Sequence, residues 1–199
     1  MKVILFDMDG TLTPARKSMS DKVLESLKEL SLTYQVGIIS GSDFDYITQQ
    51  CQLAMDSIDN IDILPCNGTK LYRKNTLTGK YQPLHEANMR DAITVATYQR
   101  LLHKLMAFQK DIMTRYPELP YTGTFFQYRG SLLNWCPIGR SADHRDRSAW
   151  NSWDKSFRIR QEYCEALETF IADQNFYEEF DSKLTVALGG STSFDIYPL

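Results

Sequence analysis

Phe6-Asp7-Met8-Asp9-Gly10-Thr11-Leu12-Thr13 follows directly on the apolar run Val3-Ile4-Leu5, and its reading decides the fold. Val3 to Phe6 is short and continuous, as a strand covered on both faces is. Gly10 marks the turn after it. At the carboxyl end of a parallel strand, such loops form the ligand crevice of an open α/β sheet. Two carboxylates at i and i+2, with glycine following, let one side chain and a backbone carbonyl face a single point. A hard cation such as Mg²⁺ favours that oxygen-rich arrangement and would shield phosphate charge from a carboxylate nucleophile. Asp7 can then attack phosphorus, and Asp9 can give or take the proton on the leaving or attacking oxygen. Asp9-Gly10 would also serve a plain acidic turn, a reading that leaves the surrounding eight residues unexplained.

Outward from this stretch, Val36 to Ile39 and Ile61 to Leu64 repeat the apolar-run signature, which predicts three parallel strands. Between the first two, Val23, Leu27 and Leu30 recur at helical spacing behind Ser20 and Asp21. Between the second and third, Phe44, Ile47, Cys51 and Ala54 do so behind Asp43, a candidate N-cap. The unit is βαβαβ with right-handed crossovers.

From about Tyr81 the pattern changes. Leu101, Leu105, Phe108 and Ile112 mark one helix face, and Trp150, Trp153, Phe157, Cys164, Leu167 and Ile171 mark another. Thr124 to Tyr128 turns at Gly130 into Leu132 to Trp135, and Leu184 to Leu188 turns at Gly189-Gly190 into Ser193 to Tyr197. The expectation is an α/β core over 1–81, linked near Gly79 to Pro83 to a second, α+β domain over 82–197, with 198–199 starting a return to the core. Arg158 and Arg160 read as helix surface.

The 199 residues are 43% hydrophobic, enough for a proper core, and 22 basic against 25 acidic side chains leave a net charge of -3. That balance predicts neither a nucleic-acid partner nor an anionic membrane. No run approaches the roughly 18 to 20 apolar residues of a membrane span, and Asp7 interrupts any signal-peptide core. Cys51, Cys66, Cys136 and Cys164 are scattered without zinc or redox spacing, which reads as reduced and cytoplasmic. His85, His103 and His144 lack metal-ligand spacing.

The Asp-x-Asp-Gly-Thr element resembles the haloacid dehalogenase superfamily. Phe6 to Arg16 (FDMDGTLTPAR), Ser40 to Phe44 (SGSDF), Asn67-Gly68, Asn134 to Ser141 (NWCPIGRS) and Ser193 to Pro198 (SFDIYP) together resemble the eukaryotic-type phosphomannomutases, in the family's order. The resemblance implies a Rossmannoid core with a parallel sheet and an α+β cap with an antiparallel sheet. It implies interconversion of mannose 6-phosphate and mannose 1-phosphate, with Mg²⁺, a hexose 1,6-bisphosphate activator and a homodimer formed through the cap. By that analogy Asp7 carries the phosphoryl group, Asp9 is the general acid/base, and Asp7 and the Asp9 backbone hold the metal. Ser40, Gly41 and Ser42 would hold the transferring phosphate. Arg16, Arg129, Arg140 and Arg147 would bind substrate, and Ser193 and Asp195 would contact sugar hydroxyls; paired guanidinium hydrogen bonds suit the phosphate that is not reacting.

The sequence departs from the family at Cys66, where an acidic residue is usual, and at Gly130-Ser131, where Asn-Gly is usual. It stops at Leu199, where the family chain continues into the core with a lysine and further acidic metal ligands, and the sheet is expected to expose apolar edges. Two other readings use the same scaffold: a sugar-phosphate phosphatase, in which water takes the phosphoryl group from Asp7, and an inactive sugar-phosphate-binding remnant.

Overall fold

The structure is a computed structural model and describes residues 2–14, 17–173 and 184–198. The chain forms two compact units, Met1–Ala87 and Asn88–Leu199. In the first, β1 (Val3–Asp7), β2 (Gln35–Ile39) and β3 (Ile61–Leu64) pair in parallel as expected, linked through α1 (Asp21–Ser31) and α2 (Phe44–Ser57). Ser20 caps α1 by accepting from the Val23 N–H, and Asp43 caps α2 by accepting from the Tyr46 N–H. Both helices pack on the sheet face carrying Phe6, Val36, Ile38, Ile61 and Ile63. β1 lies at the sheet's edge, and on its other face Val3 and Leu5 remain 56% and 49% exposed.

Among the described residues the sheet has five strands, not three. β4 (Lys70–Lys74) pairs antiparallel with β3, and β5 (Tyr81–Glu86) with β4. The segment expected as a linker is therefore a hairpin arm, and the chain passes between units at Ala87 and Asn88. Pro83 disguises β5; proline is tolerated there because β5 is the other edge strand. Asn75 closes the hairpin turn by accepting from the Leu77 and Thr78 N–H groups at 2.9 and 3.1 Å.

In the second unit, β6 (Phe126–Tyr128), β7 (Leu133–Trp135), β8 (Leu184–Gly189) and β9 (Ser193–Pro198) form an antiparallel sheet in the order β6-β7-β9-β8. Pro198, expected to begin a return to the core, is the last residue of β9, paired with Leu184. Its helices are α3 (Met89–Ala92), α4 (Val95–Arg115), α5 (His144–Phe157) and α6 (Ile159–Asp173). One sheet face meets this core through Leu133, Trp135, Phe194, Ile196 and Val186, with the Trp135 and Phe194 rings stacked 4.5 Å apart.

The single helix expected to run from Trp150 to Ile171 is two. Arg158 adopts a left-handed conformation (φ 55°) between them. Arg160, read as helix surface, instead pairs with Asp154 at 2.7 Å, and its Nη1 donates to the Gly190 carbonyl at 2.9 Å, pinning the β8–β9 turn.

Gly139 (φ +89°) lets the loop after β7 close onto the chain before β6: a Cβ there would lie 2.1 Å from the Gly123 carbonyl oxygen. Ile138 O accepts from Thr122 N at 2.9 Å on one side of it, and Arg140 N donates to Thr124 O at 3.2 Å on the other. Gly139→Ala should destabilise the second unit by about 2–4 kcal/mol, through the left-handed penalty and the overlap together. All three tryptophans lie in this unit, so urea unfolding followed by tryptophan fluorescence reads the change; an unaltered midpoint would contradict it.

Candidate active site

The carboxyl end of β1 turns tightly around the Met8 carbonyl, which accepts from Leu12 N and Thr13 N at 3.0 Å each. Gly10 (φ +86°) makes the bend and donates its N–H to Thr13 O at 2.7 Å. Met8 is fully buried, which leaves its neighbours Asp7 and Asp9 on the open side. The Thr13 hydroxyl reaches Gln50 Oε1 of α2 at 3.1 Å and ties the turn to that helix. Sequence reading assigned no role to Gln50; only its distance in space from the turn reveals one.

Partial burial raises the Asp7 carboxyl above its ordinary pKa, a hydrogen bond from Met8 N–H opposes the rise, and the Asp9 charge adds to it. Burial and the Asp9 charge also push the Cys51 thiol up to about 12, consistent with an inert, neutral core cysteine. A cation beside the two aspartates would relieve their mutual repulsion. Mg²⁺ is commonly held by one or two carboxylates with waters and phosphate oxygens, and the Asp7 carboxylate with the Asp9 backbone carbonyl fits that pattern. Among the described residues, no three His, Cys, Asp or Glu side chains gather into a metal site of their own.

Asp7 pairs in register with Ile39, so Ser40-Gly41-Ser42 begins beside it. Ser40 Oγ accepts from Ser42 N at 3.1 Å, and the loop is stitched to the end of β3 by Cys66 N to Ser42 O at 2.9 Å and Asn67 N to Ser40 O at 2.8 Å. Cys66, Asn67 and Gly68 are all left-handed (φ 55°, 58° and 81°). α2 starts at Phe44, and its N-terminal dipole favours an anion at this end.

Of the other expected residues, Asp195 lies on the sheet face opposite the second unit's core, and Arg129, Arg140, Arg147 and Ser193 lie in the same unit. Gln127, Asn134, Asp195 and Ala187 form one row across the four strands. Asn134 Nδ2 donates to the Asp195 carboxylate at 2.7 Å, while Arg140 Nη1 donates to Asn134 Oδ1 at 3.0 Å. Arg147 donates to Ala142 O at 3.0 Å, Arg140 O at 3.2 Å and Thr192 Oγ1 at 2.8 Å, which holds its guanidinium in one orientation. Arg129 is half-buried at the β6–β7 turn, its backbone N–H closing on Leu132 O at 2.8 Å. Ser193 Oγ donates to Gly189 O at 2.8 Å. Arg16 lies outside the described residues. Asn134 and Thr192 carried no role in the sequence reading, and Gly189 only that of a hairpin turn; a polar residue at the centre of an apolar strand was the available signal for Asn134.

The sequence profile of the family described as eukaryotic phosphomannomutase matches residues 23–199. Phosphomannomutase 1 of Mus musculus is 32% identical over 195 residues, covering 98% of this chain and 68% of that protein. The phosphomannomutase of Saccharomyces cerevisiae is 33% identical over 198 residues, covering 98% of this chain and 70% of its own. Among solved structures, IMP-nucleotidase of Plasmodium falciparum, IMP bound and N-terminally truncated, is similar with a TM-score of 0.58 at 12% identity, over 99% of this chain and 52% of that one. A second structure of IMP-nucleotidase from Plasmodium falciparum gives 0.59 at 12%, over 98% and 47%. The chain thus spans about half the length of these structures, and at such identity they share its fold alone. On the family profile and the identity to these relatives, the chain belongs to the eukaryotic phosphomannomutase family.

Proposed function

We propose that this protein is a phosphomannomutase that interconverts mannose 6-phosphate and mannose 1-phosphate through an aspartyl-phosphate on Asp7. The observation that carries the reading is the polar face of the second sheet. Next to it Arg147 of α5 is clamped by two carbonyls and a hydroxyl, and Arg140 is linked through Asn134 to buried Asp195. A mutase must hold a substrate with phosphate at either end, so it needs a cationic grip apart from its nucleophile; a simple phosphatase does not.

In this reading an Asp7 carboxylate oxygen forms a bond to phosphorus as the sugar oxygen leaves with a proton from Asp9. In the return step Asp9 takes the proton from the attacking sugar hydroxyl, and the phosphoryl group leaves Asp7. Ser40, Gly41 and Ser42 orient the transferring phosphate, and Arg16, Arg129, Arg140 and Arg147 hold the other one. Ser193 and Asp195 meet sugar hydroxyls. Asp7 and the Asp9 carbonyl would hold Mg²⁺, which would supply charge shielding for the phosphate. A hexose 1,6-bisphosphate charges Asp7 at the outset. The proposal includes a cytoplasmic homodimer formed through the second unit; no described helix is long and apolar enough to cross a membrane.

Incubation with Mg²⁺, mannose 1-phosphate and catalytic glucose 1,6-bisphosphate should yield mannose 6-phosphate without stoichiometric free phosphate. Asp7→Asn should abolish turnover, and Asp9→Asn should slow it by about 10²- to 10⁴-fold. Phosphate release alone would replace the mutase by a phosphatase, and neither product would leave an inactive binding protein. Thr192→Val removes the hydroxyl acceptor of Arg147 with little change of shape. It should raise KM for mannose 1-phosphate about 5- to 20-fold while leaving kcat within a factor of about two; an unchanged KM would detach Arg147 from substrate binding.

A further inference from the structure

We infer that Asn134 is a positioning residue that couples Arg140 to Asp195, fixing the span between a phosphate subsite and a sugar-hydroxyl subsite. The inference rests on the functional reading above. Asn134 sits at the centre of β7, only 2% exposed, in register with Asp195 on β9. Its amide has one possible orientation: a guanidinium only donates and a carboxylate only accepts, so the oxygen must face Arg140 and the nitrogen Asp195. The observed 3.0 and 2.7 Å bonds have that polarity. Asn134 Nδ2 also lies 3.4 Å from the Phe194 carbonyl, so the amide is held in place from the strand it bridges to.

A neutral two-headed spacer does something a direct contact would not. Arg140 and Asp195 in contact would form an ion pair that commits each charge to the other, and a ligand would have to break it. With Asn134 between them, the link engages one N–H of Arg140 and one oxygen of Asp195, and the geometry of one is transmitted to the other. The second carboxylate oxygen is accommodated by Gly189: a Cβ there would lie 3.0 Å from Asp195 Oδ2 and 2.8 Å from Ser193 Oγ. Asn134 and Gly189 thus set where both polar groups of β9 sit. A ligand that carries phosphate and hydroxyls together feels this spacing, whereas phosphate alone does not.

Titration calorimetry on the intact chain separates the two, with mannose 6-phosphate and inorganic phosphate as probes. Asn134→Ala should weaken mannose 6-phosphate binding about 10- to 100-fold and inorganic phosphate binding by less than about threefold. Asn134→Leu is close in size and removes both the acceptor toward Arg140 and the donor toward Asp195 without adding a charge, so it should show the same split even if the alanine variant folds poorly. In an Asp195→Ala background, Asn134→Ala should add less than about a further twofold loss, because the two act as a unit. Equal losses for both probes, or full additivity with Asp195→Ala, would overturn the positioning role while leaving the functional reading in place. Failure of the unaltered chain to bind mannose 6-phosphate would overturn that reading and the inference with it.

Discussion

The Met8 carbonyl gathers the N–H groups of Leu12 and Thr13 while its side chain is fully buried in the core. Both requirements act on one residue between two aspartates. With Met8 buried, the aspartates on either side of it are both exposed. The Thr13 hydroxyl then anchors the turn to Gln50, and α2 in turn packs on the sheet that supports β1. Replacing any part of this chain of contacts would move the carboxylates; extending the turn by a residue would separate them.

In the second unit the governing constraint is strand register. Four strands meet so that apolar side chains fall on the helix-covered face and a row of polar or small ones on the other. A shift of one residue in β9 would drive Asp195 into the core and Phe194 out of it. The stacked Trp135 and Phe194 rings oppose such a slip. Gln109 adds to this, accepting from Trp135 Nε1 at 2.8 Å and donating to the Pro137 carbonyl at 2.9 Å, which joins the core to the loop that presents Arg140.

The parallel strands and their helices were legible because apolar runs, helical spacing and the caps Ser20 and Asp43 agree with one another. So was the β8–β9 hairpin, where Gly189-Gly190 divides two alternating segments. β4 and β5 were not: Lys70–Lys74 and Tyr81–Glu86 carry charges and a proline, and their pairing is set by tertiary position at the sheet edge. The break at Arg158 was hidden because an uninterrupted apolar period does not register one left-handed residue. At the site, individual aspartates and arginines could be named from the motif resemblance. Gln50 meets Thr13, Asn134 meets Asp195 and Thr192 meets Arg147 across 37, 61 and 45 residues of sequence, and only the folded chain brings them into contact.

The claim on which the rest turns is that Asp7 itself accepts the phosphoryl group. Mass spectrometry of the protein quenched in acid after brief exposure to Mg²⁺ and glucose 1,6-bisphosphate tests it directly. The account predicts one added phosphoryl group, confined to the peptide containing Asp7, removed by mild alkali and absent from Asp7→Asn. An unmodified Asp7 peptide under conditions of active turnover, or phosphorylation at another residue, would contradict it.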